Sequence, residues 1–345
     1  MLEQSLRMGG SSRFCVGPRP VPNGTQKRFS PRRTPLRNNR FAATKPPTGG
    51  TTYPHAARSV TMDDHTSPPT APVFDLVDVR RAPPPDIAPD AVIAVGNFDG
   101  VHRGHQSLIA RAKAEAHARG AACAVITFDP HPRQVLRPDS PVRLIATFDE
   151  RAAWAAVAGA NRVIIWPFDD ATRTQSPRAF IDAVSRYVRI RAIVHGPGFA
   201  LGRGRVGTPD ALAEIGSDLG FDVIAVDPSA SSDGVVSSSA IREAIGRGDI
   251  QAAAHALGRW PTYMGMVVPG NRVGRTIGFP TANLEPPVAR ATPRDGVYAA
   301  WVERWPLTNN AHFHLAAVSV GDRPTFAGTI RLVEAYLLDF DGDLY

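Results

Sequence analysis

The sequence predicts an α/β domain on a doubly wound parallel sheet, followed by a small antiparallel β-barrel or sandwich. Short apolar runs alternate with helical stretches between Ala91 and Val226. After Gly258 strand-like runs are punctuated by Gly, Pro and Asn, and no long helical pattern occurs beyond Leu257. The length of 345 residues suits two such domains at roughly 100–200 residues each.

Residues 1–61 carry eleven Lys and Arg against one acid, Glu3, so the head holds +10 of a chain whose formal charge is +7. The remainder is slightly acidic, which argues against a nucleic-acid partner despite the basic total. This Pro-, Gly-, Ser- and Arg-rich head lacks apolar periodicity and is expected to be a disordered tail, a targeting peptide or translated upstream sequence. It has no continuous apolar core for a secretory signal, and its prolines oppose the amphipathic helix of a transit peptide. Met62, which opens MDDHTSPPTAPVFDL, is the expected functional start. The chain thus divides into a disordered basic extension at 1–75 and domains at 76–257 and 258–345. No run approaches the ~18 apolar residues of a membrane helix. Two cysteines, Cys15 and Cys123, read as unpaired thiols, and the expected compartment is the cytoplasm.

In the first domain, runs at 91–95, 122–128, 162–166, 192–195 and 221–226 read as buried parallel strands. Helix 106–117 places Leu108, Ile109, Ala112 and Ala116 on one face. Thr208 and Pro209 form an N-cap and first-turn proline for helix 210–218, and Gly220 stops it. In the second domain the strand-like runs are 264–268, 297–303, 314–320 and 330–338.

The loop GNFDGVHRGH at 96–105 joins the first strand to the first helix. Gly96, Gly100 and Gly104 permit tight turning and close approach to phosphate. His102 and His105, three apart, project from one side of a first helical turn. Two imidazoles beside a helix N-terminus suit electrostatic stabilisation of phosphate oxygens without a covalent nucleophile. No cysteine pair or third clustered histidine completes a zinc-like ligand set. The loop points to adenylyl transfer from ATP onto a phosphate ester and leaves the acceptor open.

GNFDGVHRGHQ at 96–106, TFDPHP at 127–132 and VSSSAIREAI at 236–245 resemble the bifunctional prokaryotic FAD synthetases. In that family an FMN adenylyltransferase domain precedes a riboflavin kinase domain. The resemblance runs from Val92 to the end of the chain. It implies a Rossmann-like nucleotidyltransferase fold followed by a riboflavin kinase-like barrel. It further implies FMN from riboflavin and ATP, then FAD from FMN and a second ATP, with pyrophosphate released.

By this resemblance His102, His105 and Arg242 are catalytic. Gly96, Asn97, Phe98, Asp99, Gly100, Gly104, Ser238 and Ser239 shape or bind the ATP site. GNRVGRTIGFPTANL at 270–284 is similar to the family's kinase signature. It implies that Gly270, Gly274, Arg275 and Gly278 lie at nucleotide phosphates, that Thr281 and Asn283 hold Mg²⁺, and that Glu334 is the base for the ribityl hydroxyl. The implied partners are ATP, riboflavin, FMN and FAD, with no nucleic acid or membrane. An adenylyltransferase for nicotinamide mononucleotide or a pantetheine phosphate explains the HRGH loop but leaves GRTIGFPTANL unaccounted for. A flavin-binding module with impaired catalysis is the third reading.

Two departures bear on activity. Ser239 replaces the usual threonine and keeps the hydroxyl. Gly198 stands where relatives carry Asp or Asn, which predicts slower adenylylation. Family members also continue past the position of Tyr345, so an open barrel edge, weak self-association and poor kinase activity are expected.

Overall fold

The computed structural model describes residues 13–17, 74–226, 236–270, 279–286, 288–305, 313–325 and 328–342. Its first strand, β1 (Arg13–Gly17), belongs with the C-terminal strands. The α/β module holds β2 (Asp75–Asp78), β3 (Asp90–Val95), β4 (Ala122–Asp129), β5 (Arg162–Pro167), β6 (Arg189–His195) and β7 (Asp222–Ala225). They form one parallel sheet in the order β2-β5-β4-β3-β6-β7. The chain winds outward from β3 in both directions, so β3 is the switch point where such sheets bind ligands.

The strands read as continuous apolar runs because both sheet faces are covered. Ile93 and Val95 face Phe180, Ile181 and Leu212. Val92 and Ala94 face the other way, toward Leu108, Ile109 and Ala112. The first set lies against α5 (Pro177–Ser185) and α6 (Pro209–Leu219), the second against α1 (Arg103–Ala118) and α3 (Phe148–Val157). Each fully buried Ile or Leu contributes roughly 1.5–3 kcal/mol. Short helices α2 (Pro132–Leu136) and α4 (Asp170–Thr174) lie between. Thr208 caps α6 with Pro209 in its first turn, and Gly220 ends it at φ 79°. The pair α7 (Ser238–Arg247) and α8 (Ile250–Leu257) closes the module.

The second module contains β8 (Tyr263–Val268), β9 (Ala282–Glu285), β10 (Gly296–Trp305), β11 (Phe313–Thr325) and β12 (Gly328–Leu337). With β1 they close a barrel in the order β1-β10-β11-β12-β9-β8. Alternate residues Val318, Val320, Val333, Ala335, Ala282 and Leu284 fill its core.

Three expectations are corrected. The head expected to lack structure supplies β1, which pairs antiparallel with both β8 and β10. The open edge is therefore absent among the described barrel strands, each of which has two neighbours. The sheet also begins at Asp75, inside the span assigned to the extension, as a short edge strand with Leu76 half exposed. Strand β9 lies within the kinase-like signature and was too short to show alternation. Met62 and its surroundings lie outside the described residues.

The two modules meet over a small cluster in which Ile145, Ile241, Ile245 and Leu257 pack with Ala291. Leu144 and residues 289–291 exchange backbone hydrogen bonds of 2.8 Å. Beside them the buried Arg290 guanidinium pairs with the buried Glu150 carboxylate and donates to the carbonyls of Ile145 (2.7 Å) and Thr262 (2.8 Å). Glu150 also accepts from Thr262 Oγ1 (2.6 Å) and from the Thr147 amide (2.7 Å). The charges are paired and both carboxylate oxygens are engaged, which is most of the condition under which a buried ion pair is tolerated; the Arg290 Nε is left without a partner among the described residues.

Candidate active sites

The turn after β3 bends sharply. Phe98, Gly100 and Val101 have φ of 48°, 83° and 39°. Left-handed backbone costs a non-glycine residue about 1–3 kcal/mol and persists only where the surroundings over-determine it. At Gly100 a Cβ would lie 2.9 Å from Ile145 Cγ2, so glycine is required on both counts. The Asn97 carbonyl accepts from Thr127 Oγ1 (3.0 Å) and from the buried Arg151 (3.1 Å).

Asp99 is 1% exposed. Its carboxylate accepts from the amides of Ile145 (3.0 Å) and Ala146 (3.1 Å) and from Arg242 Nη2 (2.7 Å). Its carbonyl accepts from Ser238 Oγ (2.9 Å). Asp99 therefore ties the turn to the first turn of α7, far apart in sequence.

His102 stands at the N-cap position of α1 without a side-chain cap bond and stacks on His105, with ring centroids 3.8 Å apart; the Phe98 ring centroid lies 4.9 Å from that of His105. Neither Nδ1 has a hydrogen-bond partner. Burial pushes the His102 imidazole down to about 4, with Asp99 opposing and Arg259 and Arg242 assisting. Burial, then the neighbouring His102, hold His105 well below the usual range. Both rings are neutral at neutral pH, and each can donate from one nitrogen.

A cleft of about 600 Å³ opens at the carboxyl end of β3. Asn97 and His105 line it on one side, Ser237, Ser238, Ser239 and Arg242 at the start of α7 on another, and His131, Arg133, Arg137 and Arg205 on the rest. Gly96, Phe98, Asp99, Gly100 and Gly104 do not line it. They shape the turn, and at Gly104 a Cβ would press on His102 at 3.3 Å. Ser237, adjacent to the two serines expected from the motif, caps α7 by accepting from the Ala240 amide.

The motif TFDPHP does not by itself reveal the α2 wall. The available signal was HPRQVLR, one histidine and two arginines directly after a strand. His131 Nδ1 accepts from the Arg133 amide (3.1 Å), and burial pushes this imidazole to about 4 as well. Arg205 lines the cleft and donates to the Gly198 carbonyl (2.7 Å). Gly198 itself has φ 64° with open space where a side chain would stand.

In the barrel, register brings the remaining expected residues together. Glu334 on β12 stands directly opposite Asn283 on β9. Both alternate with core residues and so share the face turned from the core. A Cβ on Gly270 would lie 2.1 Å from Asn283 Nδ2, so Gly270 is glycine because the backbone crosses that amide. Thr281 directly precedes β9, two residues before Asn283. Gly274, Arg275 and Gly278 lie outside the described residues. Among the described residues no three His, Cys, Asp or Glu side chains form a metal cluster.

A switch-point cleft lined by histidine and arginine, coupled to a closed barrel with paired Asn and Glu, defines an α/β nucleotide-binding protein with an appended β-barrel. Residues 85–240 match the family described as FAD synthetase, and residues 257–345 that described as riboflavin kinase. The chain is 35% identical over 256 residues to the bifunctional riboflavin kinase/FMN adenylyltransferase of Listeria monocytogenes, covering 74% of this chain and 80% of that one. The protein of the same name from Escherichia coli K12 is 33% identical over the same shares, and that from Pseudomonas fluorescens 36%. A crystal structure described as a macrolide-efflux protein from Streptococcus pneumoniae superposes with a TM-score of 0.66 at 30% identity, over 79% of this chain and 87% of that one. Among the described residues no helix is long and apolar enough to cross a membrane. The chain belongs to the bifunctional riboflavin kinase/FMN adenylyltransferase family.

Proposed function

We propose that the chain makes FAD in two steps: riboflavin is phosphorylated by ATP at the barrel, and FMN is adenylylated by a second ATP in the α/β cleft. The observation that carries the second step is the stacked, neutral His102–His105 pair at the head of α1, of which His105 lines an arginine-rich cleft and His102 lies behind it. FMN phosphate oxygen attacks the α-phosphorus of ATP, and pyrophosphate leaves. No group on the protein needs to form a covalent bond; the protein orients the phosphates and stabilises their shifting charge. His105 donates to a non-bridging oxygen, His102 backs it, and Ser238, Ser239 and the α7 amides receive phosphate opposite. Arg242, held at one nitrogen by Asp99, presents the rest of its fork to the cleft. Gly96, Asn97 and Gly104 keep the turn close to the nucleotide.

At the barrel Glu334 takes the proton from the terminal ribityl hydroxyl as that oxygen attacks the γ-phosphorus of ATP and ADP leaves. Gly270, with Gly274, Arg275 and Gly278, accommodates the phosphates. The hydroxyl of Thr281 and the amide oxygen of Asn283 are hard donors, a pair that would hold Mg²⁺ completed by water and phosphate. When bound, the cation would neutralise charge on the ATP phosphates.

The test uses the purified full chain with Mg-ATP and either riboflavin or FMN, the flavins being separated by chromatography. FAD and pyrophosphate from FMN, and FMN from riboflavin, are expected. Unchanged flavins alongside adenylylation of nicotinamide mononucleotide or a pantetheine phosphate would sink the reading.

A further inference from the structure

The strained turn that carries the histidines is held from a direction the motif does not reveal. Arg259 lies between α8 and β8, on the segment that leads into the barrel. Its Nη2 donates to the Gly100 carbonyl at 2.6 Å, and its Nη1 to the carbonyls of Val101 (3.2 Å) and Leu257 (3.3 Å). The guanidinium lies over the Trp154 ring, 4.2 Å from its centroid. Gln106 Nε2, from α1, adds a second donor to the Val101 carbonyl and also reaches that of Leu257, each at 2.8 Å. Gly100 and Val101 are two of the three positive-φ residues in the turn, and His102 follows directly.

We propose that Arg259 is a positioning residue for adenylyl transfer: by holding the carbonyls of Gly100 and Val101 it sets the backbone from which His102 enters its stack on His105. This rests on the adenylylation reading above. A planar fork is needed, because one group must reach two adjacent carbonyls while lying flat on an indole. An ammonium can meet either carbonyl but cannot do both and stack. Without Arg259 the Gly100 carbonyl loses this donor and the Val101 carbonyl is left to Gln106, so the strained Val101 (φ 39°) relaxes and the ring of His102 moves with it. Arg259 has no place in the cleft lining, so it acts through the turn and not on substrate.

The test measures FAD formation from FMN, riboflavin phosphorylation and the thermal midpoint for full-length Arg259→Met and Arg259→Lys. A misplaced reacting group costs about 100-fold, so Arg259→Met is expected to lower kcat for FAD by about 30–100-fold. The KM for ATP should stay within about threefold, since binding groups are untouched. Riboflavin phosphorylation should hold, and Arg259→Lys should recover part of the lost kcat. Where the Met variant does not fold, the Lys variant decides, with a kcat loss of about tenfold expected from a folded protein. An unchanged kcat, or a parallel fall of both activities with the midpoint, overturns the proposal. Wild-type protein that makes no FAD overturns the adenylylation reading and this one with it. Wild-type protein that makes FAD beside indifferent variants overturns this one alone.

Discussion

In the α/β module the two histidines arrive on one short stretch of chain, and α2 and α7 supply most of the cleft around His105 from across the fold. In the barrel, Asn283 and Glu334 come from different strands and meet only through register. The first site is rich in polar groups already engaged with one another: Asp99 with Arg242, Arg151 with the Asn97 carbonyl, Arg259 with Gly100 and Val101. The second relies on a close backbone approach, Gly270 against Asn283, and a small set of oxygen donors. A site carried on a strained turn needs a shell of hydrogen bonds to stay in place. A site carried on paired strands inherits its rigidity from the ladder itself.

That contrast is broken most sharply by variants that silence one site alone. Glu334→Gln should lower riboflavin phosphorylation by about 10²–10⁴-fold, the usual worth of a general base, while FAD formation from FMN persists. His105→Ala should do the reverse, cutting FAD formation by about 10²–10³-fold and sparing FMN formation. Steady-state assays of both reactions on both variants check this. Equal loss of both activities in either variant would mean general unfolding and remove the distinction.

The junction gives the next largest effect. Arg290→Met leaves Glu150 buried without its charge partner, which costs about 3–5 kcal/mol. Denaturant titration should show that loss as a lower midpoint, and Arg290→Met with Glu150→Met should recover part of it. A loss below about 1 kcal/mol would show that the modules do not depend on this pair.

Acid sensitivity is smaller and separates the two regions again. The folded-state value of His102 is about 4 against 6.5 for an ordinary imidazole, so the unfolded chain takes up its proton first. The related stability is full above about pH 6.5 and is lost as pH falls toward 4, on the order of 3 kcal/mol for this one group. His131 and His105 act in the same direction. Thermal melts between pH 7 and 4.5 should therefore fall steeply, and His102→Asn should flatten the curve. An unaltered slope in that variant would place the acid sensitivity elsewhere.

Much of the α/β core was legible because its signals are local. Alternating apolar runs, Thr208 with Pro209, and Gly220 depend on neighbours in sequence, and the strands and α6 formed where those residues stand. His102 and His105 were legible for the same reason, being three residues apart at a helix start. Arg133 and Arg137 were not, because an arginine in sequence reads as a solvated side chain until the fold turns α2 toward a cleft. Gly270 was expected at nucleotide phosphates, and its close approach to Asn283 shows only in the folded chain.

Residue order alone decided that a strand would end in a glycine-rich turn bearing two histidines and that a second, strand-rich module would follow. Only the folded chain decided that Asp99 would hold Arg242 by one nitrogen, that Arg259 and Arg290 would lock one module to the other, and that residues 13–17 would close the barrel. The physical reason is range. Backbone propensity and periodicity act over a few residues, whereas buried charges find partners, and strand edges find ladders, wherever tertiary packing brings them within hydrogen-bonding distance.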